Sequence, residues 1–127
     1  MIGVTRRIHY FDRYLKKDIF PLFLNEVSRE IEIRLITTRG NQNFGVHHLT
    51  PVSNLARQEV TNYQLIEVSQ SDLHDRNLRV DDSFFSLGPG VDRAGMALTN
   101  FNPSDSTATG HQSLDSLISR GAVIHSS

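Results

Sequence analysis

The sequence predicts an α/β fold: one mixed β-sheet flanked by helices on both faces. Three observations predict it. Strand-like runs alternate with helix-like runs along most of the chain, the pattern that gives layered α/β architecture. The length, 127 residues, fits a single domain and suffices to bury about two-thirds of the unfolded surface without staples. No internal repeat or low-complexity tract divides the chain, so 1–127 reads as one unit.

Each element follows from local pattern. Val4 to Phe11 reads as a strand with Ile8 and Tyr10 on one side. Asp18 is placed to cap a helix that has Pro21 in its first turn. Phe20, Leu24 and Val27 would give that helix an apolar stripe. Glu30 to Thr37 is a second strand, with Ile31, Ile33 and Leu35 alternating. Arg39 to Val46 reads as a polar loop, followed by a helix capped by Thr50 with Pro51 in its first position. Val52, Leu55, Ala56 and Val60 share one face of it. Asn62 to Val68 is a third strand. Leu78 to Val80 and Phe84 to Leu87 read as a hairpin around Asp81-Asp82-Ser83. Met96 to Phe101 is the last expected strand, and Gln112 to Arg120 a short helix closed by Gly121. Val123 to Ser127 carries little structural signal.

Composition narrows the function classes. There is no Cys, so disulfides and thiolate metal sites are excluded. The formal net charge of −1 gives no global basic field, which disfavours nucleic acid as the partner. No apolar run reaches the length of a membrane span, and no signal-peptide stretch opens the chain. A cytoplasmic protein is the expectation. His47-His48 suggests a metal, but neighbours on an extended chain point opposite ways, and no cofactor or metal is expected.

The most informative stretch is Leu73-His74-Asp75-Arg76-Asn77-Leu78-Arg79-Val80-Asp81-Asp82. On a strand, an offset of two puts His74 and Arg76 on one face. An imidazole beside a fixed cation suits a phosphate: the cation holds the anionic oxygens, and the imidazole can attack phosphorus or donate a proton. Arg79 falls on the other face unless the strand is bulged, and reads equally as a solvated charge or a ligand contact. Asp81 is suited to stabilise the turn or to pair with Arg76.

These residues resemble a motif of the phospholipase D superfamily: His-x-Lys, four residues, Asp, six residues, Gly. His74, Arg76, Asp81 and Gly88 stand at that spacing, with Arg for Lys. The Gly-Ser-x-Asn continuation reads Gly88-Pro89-Gly90-Val91. The chain is most similar to the phospholipase-D-like domain at the C-terminus of MIT (microtubule-interacting and transport) proteins. That branch has His-Asp-Arg, a strand, two adjacent Asn/Asp residues, a strand, and Gly-x-Gly-Leu-Asp. Here His74-Asp75-Arg76, Asp81-Asp82 and Gly88-Pro89-Gly90-Val91-Asp92 match it. Asp12-Arg13-Tyr14-Leu15, Ile33 to Thr38 and Gly110-His111-Gln112-Ser113 look like three further segments of the branch.

The resemblance implies a single phospholipase-D-like lobe, possible excision from a longer protein, and assembly as a homodimer. It implies a binding module for acidic phospholipid headgroups or a partner protein, peripheral at a membrane. In active relatives one His attacks phosphorus, a second protonates the leaving group across a two-fold interface, and no metal is needed. The alternative is therefore a metal-independent phosphodiesterase with His74 as nucleophile. Arg changes the donor geometry of Lys, and Ser and Asn are missing after Gly88, so the binding module ranks first. The expected pocket gathers His74, Arg76, Asp81, His111, Asp12, Tyr14, Arg39 and Arg79. His111, at a helix start, reads equally as an anion contact or an ordinary polar position.

Overall fold

The structure is a computed structural model that describes residues 6–20, 31–73, 75–89, 102–103 and 108–126. Its strands are β1 (Arg7–Phe11), β2 (Glu32–Thr37), β3 (Asn62–Glu67), β4 (Asp75–Val80), β5 (Ser83–Pro89), β6 (Asn102–Pro103) and β7 (Ala122–Ser126). Its helices are α1 (Gly45–Glu59) and α2 (Ala108–Arg120), with a 3-10 turn at Lys17–Ile19. The strands form one mixed sheet in the order β6-β5-β4-β1-β2-β3-β7. β1, β2 and β3 run parallel, while β4 and β7 lie antiparallel at their flanks.

Strict alternation in β1, β2 and β3 divides the sheet into two faces. Ile8, Tyr10, Ile33, Leu35, Tyr63, Leu65 and Leu78 make one core with Val46, Leu49 and Ala56 of α1. The opposite face buries Phe11, Ile36 and Ile66 under Leu114 and Leu117 of α2. Helices on both faces are what the sequence pattern predicts.

Four local expectations are corrected. The first helix after β1 begins as a 3-10 turn preceded by Lys16, with Asp18 inside it and not at its cap; the rest of that expected helix lies outside the described residues, as does the strand expected at Met96 to Phe101. α1 starts five residues before Thr50, so Pro51 is inside the helix. Its opening amides are held by other parts of the chain: Gly45 N donates to Leu15 O, Val46 N to Thr38 O and His47 N to Arg39 O. Thr50 Oγ1 bonds back to Val46 O at 2.8 Å instead of capping. α2 starts at Ala108, before the expected Gln112. Finally, the tail forms β7, which pairs with β3 through Gln64↔Ser126 and Glu67↔Ala122.

His47 and His48 lie in the first turn of α1, not on extended chain. His48 Nδ1 is 2.9 Å from Gln42 O. Among the described residues no group of three or more His, Cys, Asp or Glu could hold a metal. No helix among them is long and apolar enough to cross a membrane.

Candidate functional site

The carboxyl ends of β1, β2 and β3 share one edge of the sheet, the edge where open α/β sheets place ligands. β4 runs the other way, so its first residues reach the same edge: Phe11 of β1 is opposite Asn77, and Arg76 lies one residue beyond. Gly88 of β5 is opposite Arg76. The next pair is Asn77 with Ser86, so Leu87 is the extra residue of a bulge. The bulge leaves the alternation of β4 intact. Arg76 therefore shares the α1 face with Leu78.

There it meets β1. Asp12 Oδ1 accepts the backbone N–H of Tyr14 at 2.9 Å, and Oδ2 accepts the Tyr10 hydroxyl at 3.2 Å. The Arg76 guanidinium faces that hydroxyl and acts electrostatically on Asp12. Tyr10 and Asp12 are buried, and Arg76 is half-buried. Burial raises the Asp12 carboxyl above its ordinary 3.8, against the Tyr14 N–H, the Tyr10 hydroxyl and the charges of Arg76 and Lys16. Burial also pushes the Tyr10 phenol up, with the Asp12 charge adding to it. The result is a half-exposed cation above a fixed hydroxyl–carboxylate pair, an arrangement that can hold an oxyanion on its outer side.

The neighbouring loops are tied in place. Thr37 Oγ1 and Thr38 Oγ1 donate to Arg13 O at 3.4 and 2.9 Å. The Tyr14 ring stands edge-on to Phe44 at 4.8 Å, with the Arg13 guanidinium 5.7 Å above it. Tyr14 thus contributes its amide to Asp12 and its ring to the loop. Arg39 is 84% exposed, and its Nε is 3.7 Å from Glu67 Oε2. A shallow depression of ≈ 410 Å³ beside it is lined by Gly40, Asn41, Gln42, Asn43 and His47. The α1 N-terminus offers no ready anion cradle, because the amides of Gly45, Val46 and His47 already donate to carbonyls.

The structure separates other residues from this edge. Asp81 lies at the far end of β4, about 16 Å from Arg76 at strand rise. It occupies the hairpin turn with φ 54°. Its Oδ1 accepts the amides of Arg6 and Arg7 at 2.8 and 3.2 Å. Arg79 points to the α2 face and is 1% exposed. Its Nη2 reaches Asp115 Oδ1 at 2.7 Å and His9 Nδ1 at 2.8 Å. His9 Nε2 in turn reaches Glu32 Oε2, and Arg34 Nη2 lies 3.5 Å from Glu32 Oε1. Desolvation lowers the His9 imidazole from 6.5 to about 4, aided by the Arg79 and Arg34 charges and opposed by Glu32. His74 lies outside the described residues, as do Gly90, Val91 and Asp92. His111 is in the first turn of α2; its side chain lies outside the described part.

Among the expected residues, the fold brings together Arg76, Asp12 and the Tyr14 backbone, with Arg39 on the next loop. Sequence reading passed over Tyr10, Arg13 and His9. Alternation places Tyr10 on the Asp12 side and His9 opposite, but the partner strand that makes either polar is not written locally. A second polar chain joins Ser53 Oγ to the Tyr63 hydroxyl at 2.5 Å and to His125 Nδ1 at 2.8 Å. Ser53 is fully buried, so this chain ties α1 to β3 and β7 and presents no nucleophile.

The fold and this edge define an α/β domain with a candidate oxyanion site. No family model matches the sequence, and no curated protein matches it.

Proposed function

We propose that this chain is a phospholipase-D-like binding module that recognises a phosphate-bearing ligand, acidic phospholipid headgroups first, at the carboxyl edge of its sheet. In this reading it works as a homodimer at a cytoplasmic membrane surface and does little chemistry. The observation that carries the reading is the half-buried Arg76, held over Tyr10 and Asp12 at the edge where such sheets bind ligands. Arg39 on the adjacent loop adds an exposed cation within the same edge. A charge-assisted hydrogen bond of this kind contributes ~1.5–3 kcal/mol, so Arg76→Ala should weaken binding roughly tenfold to a hundredfold.

The test is sedimentation with vesicles of neutral lipid, alone and doped with phosphatidylserine, beside light scattering at micromolar protein. Binding that requires the acidic lipid and falls with Arg76→Ala supports the reading. Equal binding to both vesicles, or an unaffected Arg76→Ala, sinks it. A purely monomeric protein removes the dimer.

The alternative, a metal-independent phosphodiesterase, draws support from the register that sets Gly88 opposite Arg76, two of the positions at which the chain resembles the superfamily motif. It requires phosphodiester cleavage that survives EDTA and is lost in His74→Ala.

A further inference from the structure

The α2 face of the sheet carries a polar chain that the phosphate reading does not use. It runs through four elements: Asp115 on α2, Arg79 on β4, His9 on β1 and Glu32 on β2. Its donors and acceptors allow one arrangement. Arg79 can only donate, so His9 Nδ1 must accept with its lone pair. The imidazole proton then sits on Nε2 and is donated to Glu32. The neutral ring closes the chain at both ends.

Two basic side chains at the centre of this chain are each 1% exposed. The acids that answer them lie nearer solvent, at 24% exposure for Glu32 and 62% for Asp115. Beyond the apolar contacts of Leu114 and Leu117, the Arg79–Asp115 pair ties α2 to the sheet. The charged groups facing the imidazole and its guanidinium neighbour are Arg7 on β1, Glu32 and Arg34 on β2, Arg79 on β4 and Asp115 on α2. Three of these groups are cations and two are anions, around a neutral imidazole.

From this geometry we propose that His9, Arg79 and Asp115 form a proton-released latch that seats α2 on the sheet. A proton on Nδ1 removes the lone pair that Arg79 donates to and sets N–H against N–H. It also places a second positive charge beside a buried guanidinium that already faces Arg7 and Arg34. Arg79 must then move from the ring, and the Asp115 anchor of α2 moves with it. Acidification loosens α2 while α1, on the other face, stays docked. The latch does not depend on what the carboxyl edge binds.

Amide hydrogen exchange on the full chain tests this, with rates corrected for intrinsic pH dependence. Between pH 7 and pH 5 the amides of α2 from Leu114 to Arg120 should lose protection tenfold or more relative to those of α1. Asp115→Asn, at an exposed position that leaves the core intact, should loosen α2 already at pH 7. His9→Gln, which can still accept from Arg79 and donate to Glu32, should remove the pH dependence. The latch is overturned if α1 and α2 lose protection together, if wild-type α2 does not respond to pH, or if Asp115→Asn leaves α2 unchanged at pH 7. Should His9→Gln fail to fold, the wild-type and Asp115→Asn profiles decide the question.

Discussion

Replacing Asp81 should cost stability and leave ligand binding alone. Its carboxylate accepts two backbone N–H groups, Arg6 at 2.8 Å and Arg7 at 3.2 Å, across 75 and 74 residues of chain. The residue also holds φ 54°, a region where Asp and Asn are tolerated and Ala is not. The site is partly exposed, so each hydrogen bond is worth the lower end of its range, ~1 kcal/mol. The left-handed backbone adds ~1 kcal/mol against Ala. Asp81→Ala should therefore lose ~3 kcal/mol, and Asp81→Gly, which relieves the backbone but not the hydrogen bonds, ~2 kcal/mol. Asp81→Asn keeps an acceptor oxygen and the same backbone tolerance and should lose under ~1 kcal/mol. Urea unfolding at pH 7, read at constant slope, gives the order Asn, Gly, Ala. If Asn proves as damaging as Ala, the turn reasoning fails. If any variant keeps its midpoint but loses affinity for acidic vesicles, Asp81 belongs to the binding edge after all.

Other expectations concern the loops, the acid limb and the far edge. A Cβ at Gly45 would meet Thr38 O at 2.7 Å with φ at +78°, so Gly45→Ala should destabilise by ~2 kcal/mol or more in the same urea assay. The His9 imidazole is held below its ordinary 6.5, so the unfolded chain takes up the proton first. Its contribution is complete above pH 6.5 and is lost as pH falls towards about 4. Melting temperature should drop through that window in wild type, and His9→Gln should flatten the drop. Asp12, raised by burial, acts with the opposite sign as pH climbs above its ordinary 3.8, so wild type and His9→Gln, which share Asp12, are compared at matched pH. Tyr63→Phe deletes the hydroxyl from the Ser53–His125 chain and should cost ~1 kcal/mol by thermal melting; no loss would mean the chain is idle.

What could be read from the sequence was what depends on near neighbours. Alternation in Ile31 to Leu35 and around Leu78 assigned strands and faces, and Asp81-Asp82 marked the hairpin. Parity alone separated Arg76 from Arg79. Contacts across the chain were not legible. α1 begins at Gly45 because three carbonyls from Leu15, Thr38 and Arg39 complete its first turn, which no local cap residue announces. β7 has no turn signal or alternation of its own and becomes a strand by pairing with β3. Arg79 read equally as a solvated charge or a ligand contact because its partners, His9 and Asp115, are 70 and 36 residues away. At the candidate site, the end of β1 and the start of β4 could be foreseen together only through the resembling motif, and Tyr10 was not foreseen as a site residue because its hydroxyl meets Arg76 only once β4 lies alongside.

Arg76 and Arg79 stand three residues apart on one strand and serve opposite sides of the sheet. Strand parity makes that assignment all-or-none: a slip of one residue in β4 would turn both guanidinium groups over at once. The Asp81-Asp82 turn, pinned by the amides of Arg6 and Arg7, sets where β4 ends against the start of β1. A residue inserted between Val80 and Asp81, or the deletion of Val80, would thus move a cation away from the binding edge and unseat a helix on the reverse side. Point substitutions along β4 can drift independently on the two faces, but length changes cannot. The strand is tolerant of chemistry and intolerant of frame.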